Sequence, residues 1–268
     1  MTPSLALSLL GLGMFGAFVS GLLGVGGALV MIPLLLYVPP LLGVGSFDVK
    51  AVAAITMVQV FVAALSGTLA HRRHGAVHRE LALWGGIAMA VGSFSGALLS
   101  KFVADRWLLL VFALMATAAA LLIVLPVEWL APSIVPAPDG SLQFSRLRTV
   151  AVTGGVGIVA GLVGAGGAFL LVPLLLAVVG VPIRVTIGSS LAIIVVASTA
   201  GVAGKLLTGQ VPAAPALLVS LGALPAAQLG AALSRRLAGP HLRLTLLITV
   251  VATAARVWWD LLVRWDLP

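Results

Sequence analysis

The sequence predicts an all-α polytopic membrane protein, and three observations carry that prediction. Of its 268 residues, 61% are hydrophobic and only 8% are charged, against about 25% charged in a typical soluble domain. Apolar runs of roughly 20 residues, long enough to cross a bilayer as helices, recur along the whole chain. The third observation is a stretch that occurs twice. Gly21-Leu-Leu-Gly-Val-Gly-Gly-Ala-Leu-Val-Met-Ile-Pro-Leu-Leu-Leu36 returns as Gly161-Leu-Val-Gly-Ala-Gly-Gly-Ala-Phe-Leu-Leu-Val-Pro-Leu-Leu-Leu176. Roughly ten of the sixteen positions are identical, which points to a duplicated unit.

The first apolar run covers residues 4–38. As one straight helix it would be roughly 50 Å long, against a hydrocarbon core of about 30 Å. A break or a helical hairpin at residues 24–27 is therefore expected, with Pro33, and Pro173 in the second copy, as helix breakers. Spans follow at residues 50–70, 81–100 and 107–125. The second half repeats the plan, with a long run at 149–181 and spans near 184–207, 213–233 and 242–263. Trp129, Trp258, Trp259 and Trp265 stand where interfacial anchors belong. The alignment of the halves continues beyond the motif, Gly67 on Gly201, Gly96 on Gly230 and Ser100-Lys101 on Ser234-Arg235. The expected organisation is an N-terminal repeat half at 1–130, a connecting loop at 131–147 and a C-terminal half at 148–268, in one integral membrane domain.

Each half has four or five membrane segments. With four, the halves insert in parallel and the basic residues divide almost evenly between the two sides. With five, counting each long run as a hairpin, the halves are inverted. Arg72, Arg73, Arg79, Arg146, Arg148, Arg184, Arg235, Arg236 and Arg243 then share one side. The excess of basic residues on cytoplasmic loops favours the inverted version, with both termini outside. The net charge of +8 is read in the same way, as topology in a multi-pass protein of the cytoplasmic (inner) cell membrane rather than as a nucleic-acid surface. The N-terminal run lacks the basic flank of a secretory signal and reads as the first membrane segment. The chain has no cysteine, which excludes disulfides and thiol chemistry.

Gly24, Gly26 and Gly27, with Gly164, Gly166 and Gly167, are the candidate site. A glycine bend opening a helix presents backbone N–H groups at the positive end of the helix dipole and holds an anion without a charged side chain. Duplicated broken helices at corresponding positions of two halves are a pointer to a transporter binding site. Small residues that only let helices pack closely would have the same composition. Thr56, Ser189 and Ser190 lie early in matching spans, and Gln59 lies one turn beyond Thr56; all four are candidate donors to substrate oxygens. The alternative is that the hydroxyls bond back to their own helices and Gln59 joins helices together. His71, His74 and His78 are interspersed with Arg72, Arg73 and Arg79, so the patch reads as a topology-setting loop and no metal site is expected. Every carboxylate falls in a loop or near a span end. No phosphate-binding loop, zinc-protease motif or nucleophile elbow appears, so neither an enzyme nor a cofactor is expected.

These motifs resemble the sulfite exporter TauE/SafE family, also described as sulfonate uptake permeases. The resemblance rests on Gly21-Leu-Leu-Gly-Val-Gly-Gly with Pro33, its copy through Pro173, residues 51–56 and 185–190, and Leu69-Ala-His-Arg-Arg-His-Gly75. Where that family often has Gly before Thr-Ser, this chain has Ala54-Ile55-Thr56. The resemblance implies a secondary transporter of small sulfur-containing anions, such as sulfite or organosulfonates, across the cytoplasmic membrane. The competing expectations are an anion channel and a non-transporting membrane scaffold that assists assembly of another complex. The expected partners are the anionic substrate, the lipid bilayer and, through faces such as Gly92-x3-Gly96 and Gly157-x3-Gly161, a second copy of the chain; these faces suit internal packing equally well.

Overall fold

The computed structural model describes residues 1–23, 27–72, 77–124, 144–234 and 239–263. Gly24, Gly26, His74, Trp129, Trp265 and most of the expected connecting loop lie outside the described residues. Helices follow one another as α1 (Pro3–Leu23), α2 (Ala28–Leu41), α3 (Val49–Arg72), α4 (Arg79–Leu99), α5 (Asp105–Val124), α6 (Arg146–Val163), α7 (Ala168–Leu174), α8 (Ile183–Leu207), α9 (Ala213–Ser234) and α10 (Gly239–Val263). A turn of π-helix, Leu175–Val179, continues α7. Among the described residues, seven helices are long and apolar enough to cross a membrane, and α2 and α7 are shorter apolar helices. The polytopic all-α prediction holds.

Much of the outer surface is apolar. Leu83, Ile87 and Val91, spaced one turn apart on α4, are each more than half exposed, a stripe suited to lipid and not to water. Hydroxyls on such surfaces bond their own helix: Ser95 Oγ donates to Val91 O (2.9 Å) and Thr199 Oγ1 to Val195 O (2.7 Å). Buried polar side chains are gathered inside, among them Thr56, Gln59, Ser93, Ser189, Ser190 and Lys205.

Both long apolar runs are interrupted at the glycines. α1 is described as far as Leu23 and α2 starts after Gly27, while α6 stops at Val163 and α7 starts after Gly167. The proline expectation is corrected. Pro33 and Pro173 lie inside α2 and α7, and neither ends a helix. A proline within a helix leaves the carbonyl four residues earlier without its donor. For Pro33 that carbonyl is Leu29 O, which accepts instead from Thr253 Oγ1 of α10 (3.4 Å). The π-helical turn begins two residues after Pro173, a change of winding that accommodates the lost bond.

Helix directions follow from contacts at the two ends of the bundle. The starts of α4 and α6 are joined by Glu80 and Arg146 (3.2 Å), and those of α4 and α8 by His78 N–H donating to Ser189 Oγ (3.0 Å). At the other end, Lys205 of α8 bonds Ser100, just past α4, and Leu162 O, near the end of α6. These three helices therefore run in one direction, and α7 with its π-turn must carry the chain back before α8 begins. The second long run is a hairpin. α1 of the first half runs parallel to α9, since Gly222 and Gly230 of α9 meet it at Leu10 and Met14, then at Phe18 and Leu22.

Glycine makes these parallel pairs possible. A methyl group on Gly96 would fall 2.1 Å from Ile158 O, and one on Gly161 would fall 2.2 Å from Ser93 O. The Gly92 and Gly157 faces close on each other in the same α4–α6 seam, so both small-residue faces serve internal packing. On α9, Gly230 meets Phe18 O and Leu22 N as Gly96 meets Ile158 O and Leu162 N. These are the positions that the repeated stretches align. Gly96→Ala should lower the thermal unfolding midpoint of the detergent-purified protein, with an overpacking cost of about 1–3 kcal/mol. Gly155→Ala, whose added methyl meets nothing within 4 Å, should leave the midpoint unchanged or raise it by at most about 1 kcal/mol of helix propensity.

Candidate functional site

The second bend turns on three glycines in the left-handed region, Gly164 (φ 76°), Gly166 (φ 61°) and Gly167 (φ 73°). Side chains there cost energy that glycine avoids. Gly27 at the start of α2 has the same conformation (φ 75°). Gly27 O accepts from Val30 and Met31 N–H, as Gly167 O accepts from Leu170 and Leu171 N–H. Neither α2 nor α7 has a side-chain cap, so their first-turn amides depend on other partners.

Both bends rest on one stretch of α3. A methyl on Gly164 would collide with Ala53 O, and one on Gly166 would lie 2.3 Å from Val60 Cγ1. From the other side, a methyl on Gly27 would sit 3.0 Å from Gln59 Nε2 and 2.9 Å from Ser20 Cβ. The two bends thus reach α3 at adjacent residues, Gln59 and Val60. Gln59 lies about 15 Å along a helix of roughly 36 Å, well inside the span.

Thr56 and Gln59, one turn apart, are fully buried there. Thr56 Oγ1, Gln59 Oε1 and Gln59 Nε2 have no hydrogen-bond partner. A buried polar atom without a partner costs about 1–3 kcal/mol, and native structures carry few of them. Three of them lie on one turn of α3, beside Gly27 and one residue from Val60, which Gly166 approaches. Amide N–H groups, a carboxamide and a hydroxyl together suit an oxyanion, since all of them donate.

The other sequence candidates are placed differently. Ser189 is buried, and its Oγ accepts the His78 N–H at the start of α4; Ser190 is buried beside it. No described contact brings either serine to Thr56 or Gln59. Gly167 packs on Met89, Ala160 and Val156, so its close neighbours are apolar. His78 caps α4, its Nδ1 accepting from Leu81 N–H (3.3 Å). Gly24 and Gly26 lie outside the described residues. Sequence reasoning missed Ser20, 5% exposed and against Gly27; its place directly before the glycine motif was the available signal. Lys205, in the last turn of α8, is fully buried.

The chain matches the family described as Sulfite exporter TauE/SafE over residues 9–257. It is 31% identical over 195 residues to a probable membrane transporter protein of Xylella fastidiosa (strain Temecula1 / ATCC 700964), covering 71% of this chain and 70% of that one. It is 27% identical over 240 residues to the probable membrane transporter protein YunE of Bacillus subtilis (strain 168), covering 84% and 87%. No solved structure matches it. With a match from the first helix to the last and a multi-pass apolar bundle to carry it, the chain belongs to the sulfite exporter TauE/SafE family of membrane transporters.

Proposed function

We propose that the protein is a secondary transporter of small sulfur oxyanions or sulfonates, sulfite being the simplest, and that the anion binds between the two glycine bends. The observation that carries this reading is the unpartnered trio of Thr56 Oγ1 and the two Gln59 amide atoms, fully buried where both bends meet α3. Backbone N–H groups of Gly27, Gly166 and their neighbours surround the anion, and Thr56 and the Gln59 amide donate to it. Sulfite and a sulfonate present the same group to these donors, three oxygens on one sulfur.

Inverted repeats supply the means of alternating access. In support, α1 and α6, which begin the two halves, run in opposite directions, and α1 packs on α9 as α6 packs on α4. Halves related in this way exchange roles when the molecule rocks about a site held near its middle. The half boundaries at 130 and 148 belong to this proposal.

Two measurements test the reading. Thr56→Val and Gln59→Met remove unpartnered polar atoms at nearly constant volume. Each should leave thermal stability unchanged or raised, because the penalty of about 1–3 kcal/mol disappears. Each should also cut sulfite uptake into proteoliposomes about tenfold or more, the equivalent of one lost hydrogen bond to a charged group. Destabilised variants with unchanged uptake would overturn the site.

Thermal unfolding of the wild-type protein against sulfite, sulfate, thiosulfate, sulfoacetate, taurine, acetate and chloride tests the substrate class. A ligand that binds only the folded state adds about 2.7 kcal/mol at a hundredfold excess over its dissociation constant. Selective stabilisation by one sulfur oxyanion or sulfonate, lost in Gln59→Met, is the expected result. Equal effects of every anion would remove the selectivity claim.

A further inference from the structure

At the end of the bundle where α3 begins and α4, α6 and α8 finish, Lys205 is fully buried. Its Nζ donates to Ser100 Oγ (2.6 Å), Gln210 Oε1 (3.2 Å) and Leu162 O (3.3 Å). All three acceptors are neutral. Ser100 Oγ in turn donates to Ala97 O (2.7 Å), and Gln210 Nε2 donates to Thr208 Oγ1 (2.7 Å). Among the described residues, no carboxylate lies within ion-pair distance of this ammonium; the two ion pairs present are Arg146–Glu80 and Arg256–Asp260. The acidic groups at this end serve backbone amides: Asp48 accepts from Ala51 N–H (2.9 Å) and Asp105 from Val49 N–H (3.2 Å).

The ammonium is held by helix ends. Lys205 is in the last turn of α8, Leu162 is in the last turn of α6, and Ser100 follows α4. Three negative dipole ends converge on it, each equivalent to roughly half a charge and spread over several carbonyls. No carboxylate pairs with it among the described residues, so an arriving anion meets Lys205 with no ion pair to break. Two further lysines continue the line outward. Lys50 is half-buried and donates to Lys101 O (2.9 Å), and Lys101 is exposed and adjacent to Ser100. Inward from Lys205, Leu162 stands two residues before Gly164, where the second bend starts.

We propose that Lys205 is an anion-binding residue on the path between this end of the protein and the second glycine bend, with Lys101 and Lys50 as the outer steps. The anion displaces the Gln210 carboxamide, a neutral acceptor on the α8–α9 turn, binds the ammonium, and passes inward to the bend. Ionisable side chains within membrane spans are rare and mark substrate paths, and a cationic line raises the local concentration of anions. The proposal rests on the bends being the transport site, and its test separates the two ideas.

Sulfite uptake is measured with wild-type, Lys205→Met, Lys205→Arg, Ser100→Ala and Gly166→Leu proteins in identical proteoliposomes, after size-exclusion chromatography confirms folding. Lys205→Met should raise KM about tenfold or more with a smaller change in kcat, while Lys205→Arg keeps most of the affinity. Ser100→Ala removes one bond to the lysine and keeps its charge, so KM should change less than about twofold. The double variant Lys50→Gln, Lys101→Gln alters groups at the surface and should raise KM without loss of folded protein. Wild-type KM in Lys205→Met, with uptake abolished in Gly166→Leu, would overturn the role of Lys205 and leave the bends standing. Wild-type uptake in Gly166→Leu would overturn the bends as the site.

Discussion

Inside a bilayer the backbone has no water to bond, so every amide and carbonyl must find its partner within the protein. That constraint shapes this fold. Helix is the default along nearly all the described chain, and the breaks at the two glycine motifs stand out because they leave first-turn amides without helical partners. At Leu29 O, the carbonyl freed by Pro33 within α2, a side chain from another helix takes the missing donor's place. At the starts of α2 and α7 no side chain does so. A repaired backbone group belongs to packing, and one left available is what the proposed site uses.

Close approach is the second consequence. Apolar side chains gain little by leaving lipid for protein, so these helices associate through intimate backbone contact. The α4–α6 and α1–α9 seams are built from glycines facing carbonyls. The same device brings the second bend against Ala53 O and both bends against Gln59 and Val60. Gln59, against Gly27, is then enclosed without being satisfied. Enclosure of this kind carries a penalty that, in the proposed mode of binding, a bound anion relieves.

Charge is distributed accordingly. The proposed site holds dipoles and no formal charge, and Lys205, the one charged residue fully buried among those described, stands apart at one end, bonded to Ser100 Oγ and Leu162 O. In the proposed site, dipolar donors bind an anion without holding it too tightly to leave, since a full ion pair in a low-dielectric interior would be far stronger. Under the same proposal the formal charges near the ends attract the anion, Lys101 exposed to solvent and Lys205 enclosed by protein.

The sequence by itself determined the class of the protein and the place of its breaks. Runs of apolar residues can only be membrane helices, and a doubled glycine motif within a run too long for one span must interrupt it. Thr56 and Gln59 were visible as polar residues in an apolar helix. What composition and spacing left open was which of them remain unpartnered, because that depends on what the other helices bring. Ser189, equivalent by spacing, is occupied by the His78 amide, and Lys205, placed like a boundary residue, is enclosed by the ends of α4 and α6. The prolines carried a local rule that tertiary structure overrode: α2 runs through Pro33, and Thr253, more than two hundred residues away, bonds the freed carbonyl. Local chemistry is written in the order of residues. Whether a polar atom ends up bonded is decided by helix directions and close contacts, which only the folded chain possesses.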